Sequence, residues 1–445
     1  MKIDASDITP ATLAPDRFAG FAAGLDSDDW LGTRRMEAWR RFLALPFPTR
    51  RSEEWRYTDL ERIGIDGYRP AEYAPVLDDE ELPADLLQLI EASSGRAGRI
   101  VERDGRVVHA SLEPSLAERG VTLAPLSRVA VERPDLIEQY FLAGEVAAAE
   151  EKLWNLHIAF LTGGYMLHVP AGVEIEAPIQ TFRSIVEEGE LVSTHTLIVA
   201  ETAASVVCID EHLSPDLGEG ALALSGVEVV AGPGARVDYI SLQRFGRGVK
   251  HFAMQHIAAE RDARVSGFNV ALGGDVSRTD VSSRLLGPGS DSEMLALWFG
   301  DSDQHVDFQT LQHHAAPHAH SDLLYKGALT DNANSVFRGL IRVDPHAQLT
   351  DAYQTNRNLL LSKNARATSL PNLEIQADDV RCSHGATIGQ VDESMLFYLR
   401  SRGLTRVQAE RLLVFGFFDE VLSRLPVEGV RARVRDAIGR KIGLA

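Results

Sequence analysis

Gly232-Pro233-Gly234-Ala235-Arg236-Val237 is a short turn that returns in altered form as Glu260-Arg261-Asp262-Ala263-Arg264-Val265 and again as Gly287-Pro288-Gly289-Ser290-Asp291. The alanine of the first version lies 28 residues before that of the second, which lies 27 residues before the serine of the third. From Tyr165 to Ile388, turns of this kind separate short β-branched or aromatic runs. One such unit cannot bury its apolar face alone, whereas stacked coils share a continuous core. The repeat therefore predicts a β-solenoid; the alternative is a β-sandwich or jelly roll, whose turns also recur.

The β-rich repeat is flanked by sequence with helical periodicity, which divides the chain into three predicted domains. Residues 1–160 are mostly helical in pattern with a small hairpin, residues 161–390 form the predicted parallel β-helix core, and residues 391–445 return to helical spacing. The hairpin signal is Asp104-Gly105 between two β-branched runs, a dipeptide that favours the tight turns of antiparallel strands. The predicted fold class is mainly β, with a helical domain on each side of the core.

Apolar residues recur at helical spacing in three stretches of the N-terminal region, Asp29–Leu45, Leu82–Ile90 and residues 135–160. Pro46 and Pro48 end the first stretch, because a proline removes a backbone donor and clashes with the preceding turn of a helix. We therefore expect three separate helical segments before the β-rich core.

The C-terminal helical pattern carries an unusually wide apolar stripe. Its most apolar positions are Leu412, Leu413, Phe415, Phe417 and Phe418. Part of this stripe must pack on the core, but its width indicates a surplus that is typical of a partner-binding surface. The alternative is a plain helix pair buried against the last coil.

Composition and charge exclude several classes of function. The 445 residues include 45 Lys and Arg against 64 Asp and Glu, which gives a formal net charge of −19. Nucleic acids and anionic membranes need clustered cations, so neither is expected as the main partner. The N-terminus lacks the apolar segment of a signal peptide, and no apolar run approaches the length of a membrane span. We expect a cytoplasmic protein.

The sequence also lacks the common catalytic motifs. It contains no phosphate-binding glycine loop with Lys-Ser/Thr, no Gly-x-Ser-x-Gly elbow and no His-Glu-x-x-His. We therefore expect neither an NTPase nor a hydrolase. Cys208 and Cys382 are the two cysteines, too few for a disulfide framework or a Cys-only metal site within one chain.

Histidines concentrate late in the core. Seven of the 14 lie between His305 and His384. His318 and His320 are two residues apart, so in a strand they would share one face and could suit a metal. Solvated or stacked histidines are the favoured interpretation, because no carboxylate or thiol lies beside them at a ligand spacing.

Cys382-Ser383-His384 is a more specific indication of a ligand site. In a strand, Cys382 and His384 would project to the same face, where a thiolate and an imidazole could bind one soft metal or one sulfur species. A buried, inert cysteine is the alternative. Two ligands make only half a coordination shell, so a second chain would have to complete the site. Cys208 lies in an alternating strand and is expected in the core.

Several longer runs resemble one family. They are Pro48–Leu60, Asn334–Gly339, Gln354–Ser362, Leu373–Thr387 and Leu396–Gly403. Together they resemble the SufB/SufD family of iron–sulfur cluster assembly proteins, nearly continuously from about residue 325 to residue 425. The resemblance implies a right-handed parallel β-helix flanked by helical domains, assembled with a SufB-like paralogue and two copies of the SufC-like ABC ATPase.

Within that family the chain is most similar to the SufD branch. It has Cys382-Ser383-His384-Gly385-Ala386-Thr387 where SufB proteins typically have His-Glu-Ala-Thr, and Arg357 stands roughly where SufB carries its functional cysteine. The resemblance implies that an iron–sulfur cluster forms transiently at the interface of the two paralogues, beside Cys382 and His384. It also implies that the ATPase docks on the C-terminal helices, and that this chain binds no nucleotide.

The sequence thus predicts a non-catalytic subunit of an iron–sulfur assembly scaffold. One alternative is a homodimer that stores or delivers iron without the paralogue. A carbohydrate-binding β-helix is another, but its paired carboxylates would have to be Asp378-Asp379 or Asp392-Glu393, and neighbours in a strand point in opposite directions.

Overall fold

The computed structural model describes residues 15–23, 30–65, 67–71, 95–142 and 151–443. The helix predicted over Leu82–Ile90 lies outside these residues. Two sheets of ten strands each run through the described chain, and from Gly163 onward consecutive strands alternate between them. The chain is therefore mainly β, and the predicted β-solenoid is confirmed.

Apart from the antiparallel pairs β2/β3 and β4/β5, the strands of both sheets are parallel to their neighbours. The first sheet contains β1 (Arg69–Pro70), β4 (Thr122–Pro125), β5 (Gly163–Val169), β7 (Glu190–Ala200), β9 (Ala221–Ala231), β11 (Val249–Ala259), β13 (Val276–Leu285), β15 (His305–His314), β17 (Asn334–Val343) and β19 (Arg366–Ile375). The second sheet contains β2 (Gly98–Arg103), β3 (Arg106–Leu112), β6 (Ile179–Ser184), β8 (Ser205–Leu213), β10 (Arg236–Arg244), β12 (Arg264–Ala271), β14 (Asp291–Gly300), β16 (His320–Leu329), β18 (Asp351–Leu360) and β20 (Arg381–Gln390).

The recurring turn of the sequence sets the register of the second sheet. Arg236 pairs with Arg264, and Arg264 pairs with Asp291. The residue before each of these strands is small and fully buried, since a larger side chain would not fit inside the corner. Those residues are Ala235, Ala263 and Ser290. The 27- and 28-residue spacing of the sequence is therefore the length of one coil.

Each corner also needs one residue with a left-handed backbone. Gly234 (φ 69°), Asp262 (φ 56°) and Gly289 (φ 75°) take this position. Glycine and aspartate tolerate this conformation better than most residues. Stacked corners are joined by backbone hydrogen bonds, as from the Gly234 amide to the Arg261 carbonyl at 2.8 Å.

His318 occupies the same corner position in a later coil, with φ of 59°. It is exposed and precedes β16, which begins at His320. The expectation that His318 and His320 share one strand face is therefore wrong, because a left-handed corner residue breaks the alternation of a strand.

Most of the N-terminal helices cover the outer face of the first sheet; the exception is the short helix Pro114–Glu118, whose Leu116 packs into the interior core. The N-terminal helices are α1 (Pro15–Ala23), α2 (Trp30–Ala44), a 3-10 turn (Glu53–Trp55), α3 (Leu60–Ile63), α4 (Pro114–Glu118), α5 (Leu126–Glu132), α6 (Pro134–Tyr140) and α7 (Lys152–Ala159). Aromatic side chains of this layer, such as Trp39 and Phe42, pack with Leu197 and Leu222 of the sheet in one buried cluster. The predicted hairpin is β2 and β3, and β2 continues the second sheet through parallel pairing with β6.

The C-terminal helices are α8 (Glu393–Ser401), α9 (Arg406–Leu422) and α10 (Glu428–Lys441). The Thr405 hydroxyl and the Gln408 side chain form a capping box that fixes the start of α9. Val414 and Phe418 of α9 pack with Ile240 and Phe268 on the outer face of the second sheet. Within the described residues, the apolar cluster that holds α9 and α10 contains no residue of β19 or β20, so these two helices lie along the side of the solenoid and not on its last coil. Among the described residues, no helix is both long and apolar enough to cross a membrane.

A buried chain of hydrogen bonds joins α7 to the first sheet. The Ser193 hydroxyl donates to the His157 carbonyl at 2.8 Å, so its oxygen accepts from His157 Nδ1 at 2.7 Å. His157 Nε2 then accepts from His195 Nδ1 at 3.1 Å, which leaves His195 Nε2 to accept from Glu228 at 3.0 Å. This direction requires a protonated Glu228. Burial favours the neutral acid and raises the pKa of Glu228 to about 7.

Glu228→Gln tests this assignment. The native carboxyl keeps its proton up to about pH 7, whereas the unfolded one loses it near its ordinary value of about 4.3. The protonated Glu228 therefore stabilises the folded state fully at low pH, and this stabilisation is lost as the pH rises through 7. The unfolding free energy falls by at most about 1.4 kcal/mol per pH unit. An amide donates at every pH, so denaturant titrations at pH 6 and pH 8 should show a smaller difference in unfolding free energy for Glu228→Gln. The exposed variant Glu260→Gln should keep the wild-type difference, and equal behaviour of the two variants would contradict the assignment.

Candidate functional site

The solenoid ends in an open coil. β19 is the last strand of the first sheet and β20 the last strand of the second, and among the described residues each has a strand neighbour on one side only. Both are ten residues long. Their outer edges present unpaired backbone donors and acceptors, the arrangement that soluble proteins normally cover, twist or shorten.

The inward-facing side chains of this coil are also uncovered. Leu373 is in register with the fully buried Ile341, and Ile375 with the fully buried Val343, so both continue columns of the core. Their own exposed fractions are 38% and 39%, because the part of the chain that the structure describes places no further coil beyond them. The open end is thus an exposed cross-section of the hydrophobic core, which favours contact with another molecule.

Cys382 and His384 lie at this open end, on the same face of β20. Cys382 is in register with Ala352 and His384 with Gln354, and both of those partners are buried inside the solenoid. The two side chains therefore continue interior columns and face the lumen. Cys382 is half-buried and packs beside Ala352, whereas His384 is exposed. Ser383 between them belongs to the opposite face.

The Cys382 thiol is held in its neutral form. Burial raises its pKa, and the nearby carboxylate of Asp351 adds to the rise. Formation of a thiolate then depends on a metal or another cation that stabilises the negative charge. In the part of the chain that the structure describes, no group of three or more His, Cys, Asp or Glu residues is arranged to hold a metal ion.

Comparison with known protein families shows the family to which this chain belongs. The family described as "SUF system FeS cluster assembly, SufBD core domain" matches residues 182–417, and the family described as "SufBD protein N-terminal region" matches residues 24–181. The chain belongs to the SufBD family. The predicted resemblance is confirmed.

Individual SufBD relatives are similar along most of the chain. The iron–sulfur cluster assembly protein SufD of Bacillus subtilis is 30% identical over 417 residues, covering 93% of this chain and 94% of the relative. SufD of Escherichia coli is 31% identical over 415 residues, with 91% of each chain covered. A SufBD family protein of Mycobacterium leprae is 37% identical over 279 residues, covering 61% of this chain and 70% of the relative.

Arg357 lies on the other face of the second sheet. It is in register with Lys326 and Thr387, and its guanidinium contacts Glu420 Oε2 at 3.2 Å. Lys326 Nζ contacts the same carboxylate oxygen at 2.5 Å. The position compared with the SufB cysteine is therefore separated from Cys382 and His384 by the sheet, and here it helps to tie α9 to the solenoid.

The predicted partner surface on α9 is only partly exposed. Leu412 is 53% exposed, Leu413, Phe415 and Phe417 are half-buried, and Phe418 is fully buried in the cluster with the second sheet. Phe418 is therefore a core residue and not a surface residue, because α9 turns this side of its stripe onto the sheet. The sequence pattern could not separate the two sides, since the stripe is apolar on both.

Sequence reasoning missed the exposed apolar residues of α8. Met395, Phe397 and Tyr398 are 50%, 73% and 54% exposed. Leu396 between them is 2% exposed and is the one buried residue of the helix. The signal was present as a Met-Leu-Phe-Tyr-Leu run on a nine-residue helix, which is more apolar residues than one buried face can hold.

Thiol titration checks the two cysteines. Cys208 is fully buried and Cys382 half-buried, so a disulfide reagent should modify one thiol per native chain and two after unfolding. Because the pKa of Cys382 is raised, the rate at that thiol should still increase above pH 9. Cys382→Ala should abolish the native reaction and Cys208→Ala should leave it unchanged; the reverse pattern would contradict the placement of β20.

Proposed function

We propose that this chain is a SufD-like subunit of the SUF assembly scaffold that pairs with a SufB-like paralogue and contributes half of the cluster-forming site. The observation that carries this proposal is the position of Cys382 and His384 at the uncapped last coil. A thiol and an imidazole there can act on iron or sulfide, which are the cargo of the complex.

The shape of the open end supports a β-helix as the partner. β19 and β20 present strand edges that can form backbone hydrogen bonds. Three apolar side chains are exposed on the last coil: Leu373, Ile375 and Ile388. A second solenoid that ends in the same way would satisfy both the backbone groups and the apolar side chains at once. Its last coil would then face Cys382 and His384.

Chemistry at such an interface follows from the two side chains. His384 is exposed and can offer a neutral ring nitrogen, and Cys382 can offer a thiolate once a metal displaces its proton. The partner would supply the remaining ligands, as two residues cannot complete a tetrahedral iron or cluster site. In this proposal the chain itself is not an enzyme, and it acts in the cytoplasm.

ATP hydrolysis would be the task of a SufC-like ABC ATPase docked on the C-terminal helices. Met395, Phe397 and Tyr398 of α8 and Leu412 of α9 are exposed apolar side chains, and in this proposal they form the docking surface, called below the exposed patch. Glu420 of α9 binds Lys326 and Arg357 on adjacent strands of the second sheet. A force on the helices would therefore reach β18, the neighbour of β20.

The test is anaerobic reconstitution with the SufB-like and SufC-like proteins of the same cell. Native mass spectrometry should show one defined complex that contains all three chains. In that complex His384→Ala and Cys382→Ala should each reduce cluster formation by about tenfold or more, because each removes a ligand. Ser383→Ala, on the opposite face of the same strand, should keep wild-type cluster formation. A homodimer that binds neither partner, or unchanged cluster formation by His384→Ala, would overturn the proposal.

Docking of the ATPase has its own test. Phe397→Asp places a charge in the exposed patch and should weaken SufC-like binding by about tenfold or more, as expected for a central aromatic residue of an interface. Val131 is 72% exposed on α5, far along the chain, so Val131→Asp is the matched control. Isothermal titration calorimetry that finds equal affinities for the two variants would exclude this surface.

A further inference from the structure

Four arginines meet on the outer face of the second sheet, at the end opposite to Cys382 and His384. Arg99 belongs to β2, Arg244 ends β10, Arg433 lies on α10, and Arg96 lies two residues before the start of β2. Arg96, Arg244 and Arg433 lie around Glu211 of β8, and Arg99 lies near Arg96; we call the four residues the arginine cluster. Six strand steps separate β8 from β20, which is roughly 29 Å at about 4.8 Å per strand.

The carboxylate of Glu211 engages only part of the arginine cluster. It is fully buried, and its Oε1 accepts from Arg433 Nε at 2.9 Å and from Arg244 Nη2 at 3.5 Å. Arg96 feels the charges of Glu211, Arg433 and Arg99. Asp436 and Arg440 also act on Arg244, with opposite effects on its pKa, and they form an ion pair with each other. Around Glu211 itself, one negative charge therefore stands against the three positive charges of Arg96, Arg244 and Arg433, in a chain whose overall net charge is −19.

This surplus of positive charge is partly withdrawn from water. Burial lowers the pKa of Arg96, and the neighbouring cations Arg433 and Arg99 lower it further. Burial is also the largest influence on Arg244, whose pKa is lowered in spite of Glu211. Arg244 and Arg433 keep 16% and 21% of their side chains exposed, so the cluster borders the solvent. Like charges held together at this depth are stabilised when an anion joins them.

Several donors of the arginine cluster are unused within the described residues. Arg96 Nε, Arg244 Nε and Arg433 Nη2 are buried and have no hydrogen-bond partner there. An arginine fork matches the oxygens of a phosphate group in geometry and in charge. An orphaned buried donor costs free energy unless a ligand accepts from it. The cluster thus has both the charge and the free donors that a phosphate needs.

We propose that the arginine cluster binds the phosphate group of a small anion. The set of donors is compact and consists of arginine alone, which suits a single phosphate group better than an extended polyanion. Inorganic phosphate and a phosphate monoester share this chemistry. The site joins the N-terminal strand β2 to the C-terminal helix α10, so occupancy would stabilise the contact between these two parts of the chain.

Titration calorimetry of the full-length protein with inorganic phosphate, and separately with a ribose monophosphate, tests the proposal at constant ionic strength. Arg96→Gln removes a cation that does not bond Glu211, and it should weaken phosphate binding at least tenfold. Glu211→Gln removes the competing negative charge, and it should tighten binding several-fold. Arg128→Gln, at a side chain 64% exposed on α5, should change nothing.

Opposite effects of Arg96→Gln and Glu211→Gln would support the site, since a general loss of folding moves both variants in the same direction. Tighter binding of the monophosphate than of phosphate would identify an ester as the ligand, and equal binding would identify the free ion. Absence of any phosphate binding at 10 mM (about 10⁻² M, far weaker than usual ligand affinities), or identical affinity in all variants, would overturn the proposal. Binding of a tetraglutamate peptide in preference to phosphate would overturn it as well and point to an acidic protein segment.

Discussion

Parallel pairing of each strand with the equivalent strand of the next coil is the constraint on which this molecule depends. The register passes without a break from Arg236 through Arg264, Asp291, His320 and Asp351 to Arg381. Every coil must therefore have nearly the same length and the same corners, and every inward column must hold side chains that tolerate their neighbours above and below. A parallel sheet of this kind can always pair with one more strand. The last coil therefore leaves its strand edges and its apolar interior exposed unless another structure covers them.

The same constraint explains where the chemistry lies. Cys382 and His384 occupy columns whose earlier members, such as Ala352 and Gln354, are sealed inside the solenoid. Reactive side chains become accessible there only because the stacking stops. The outer faces obey a different rule: each is covered by helices, the first sheet by the N-terminal group and the second by α9 and α10. Function at this end and stability along the sides are therefore supplied by different parts of one fold.

Buried polar groups mark the places where the helical layers join the solenoid. The chain from Ser193 through His157 and His195 to Glu228 links α7 with the first sheet, and the arginine cluster links α10 with the second. Both are costly to bury, and both fix one specific orientation because hydrogen-bond directions must agree. Apolar packing alone would allow the helical layers to slide along the regular surface of the sheets.

The sequence by itself determined the repeat, and with it the fold. Coil length, corner glycines and small corner residues are local requirements, so they are visible in the order of residues such as Gly234 and Ala235. The same holds for the shared face of Cys382 and His384, which follows from the alternation of a strand. Tertiary structure alone decided which side of an apolar helix is buried, placing Phe418 in the core and Phe397 at the surface. It alone gathered Arg96, Arg244 and Arg433, which are far apart in the chain, around Glu211. Burial and charge clustering depend on which surfaces meet in space, and a one-dimensional pattern carries no such distances.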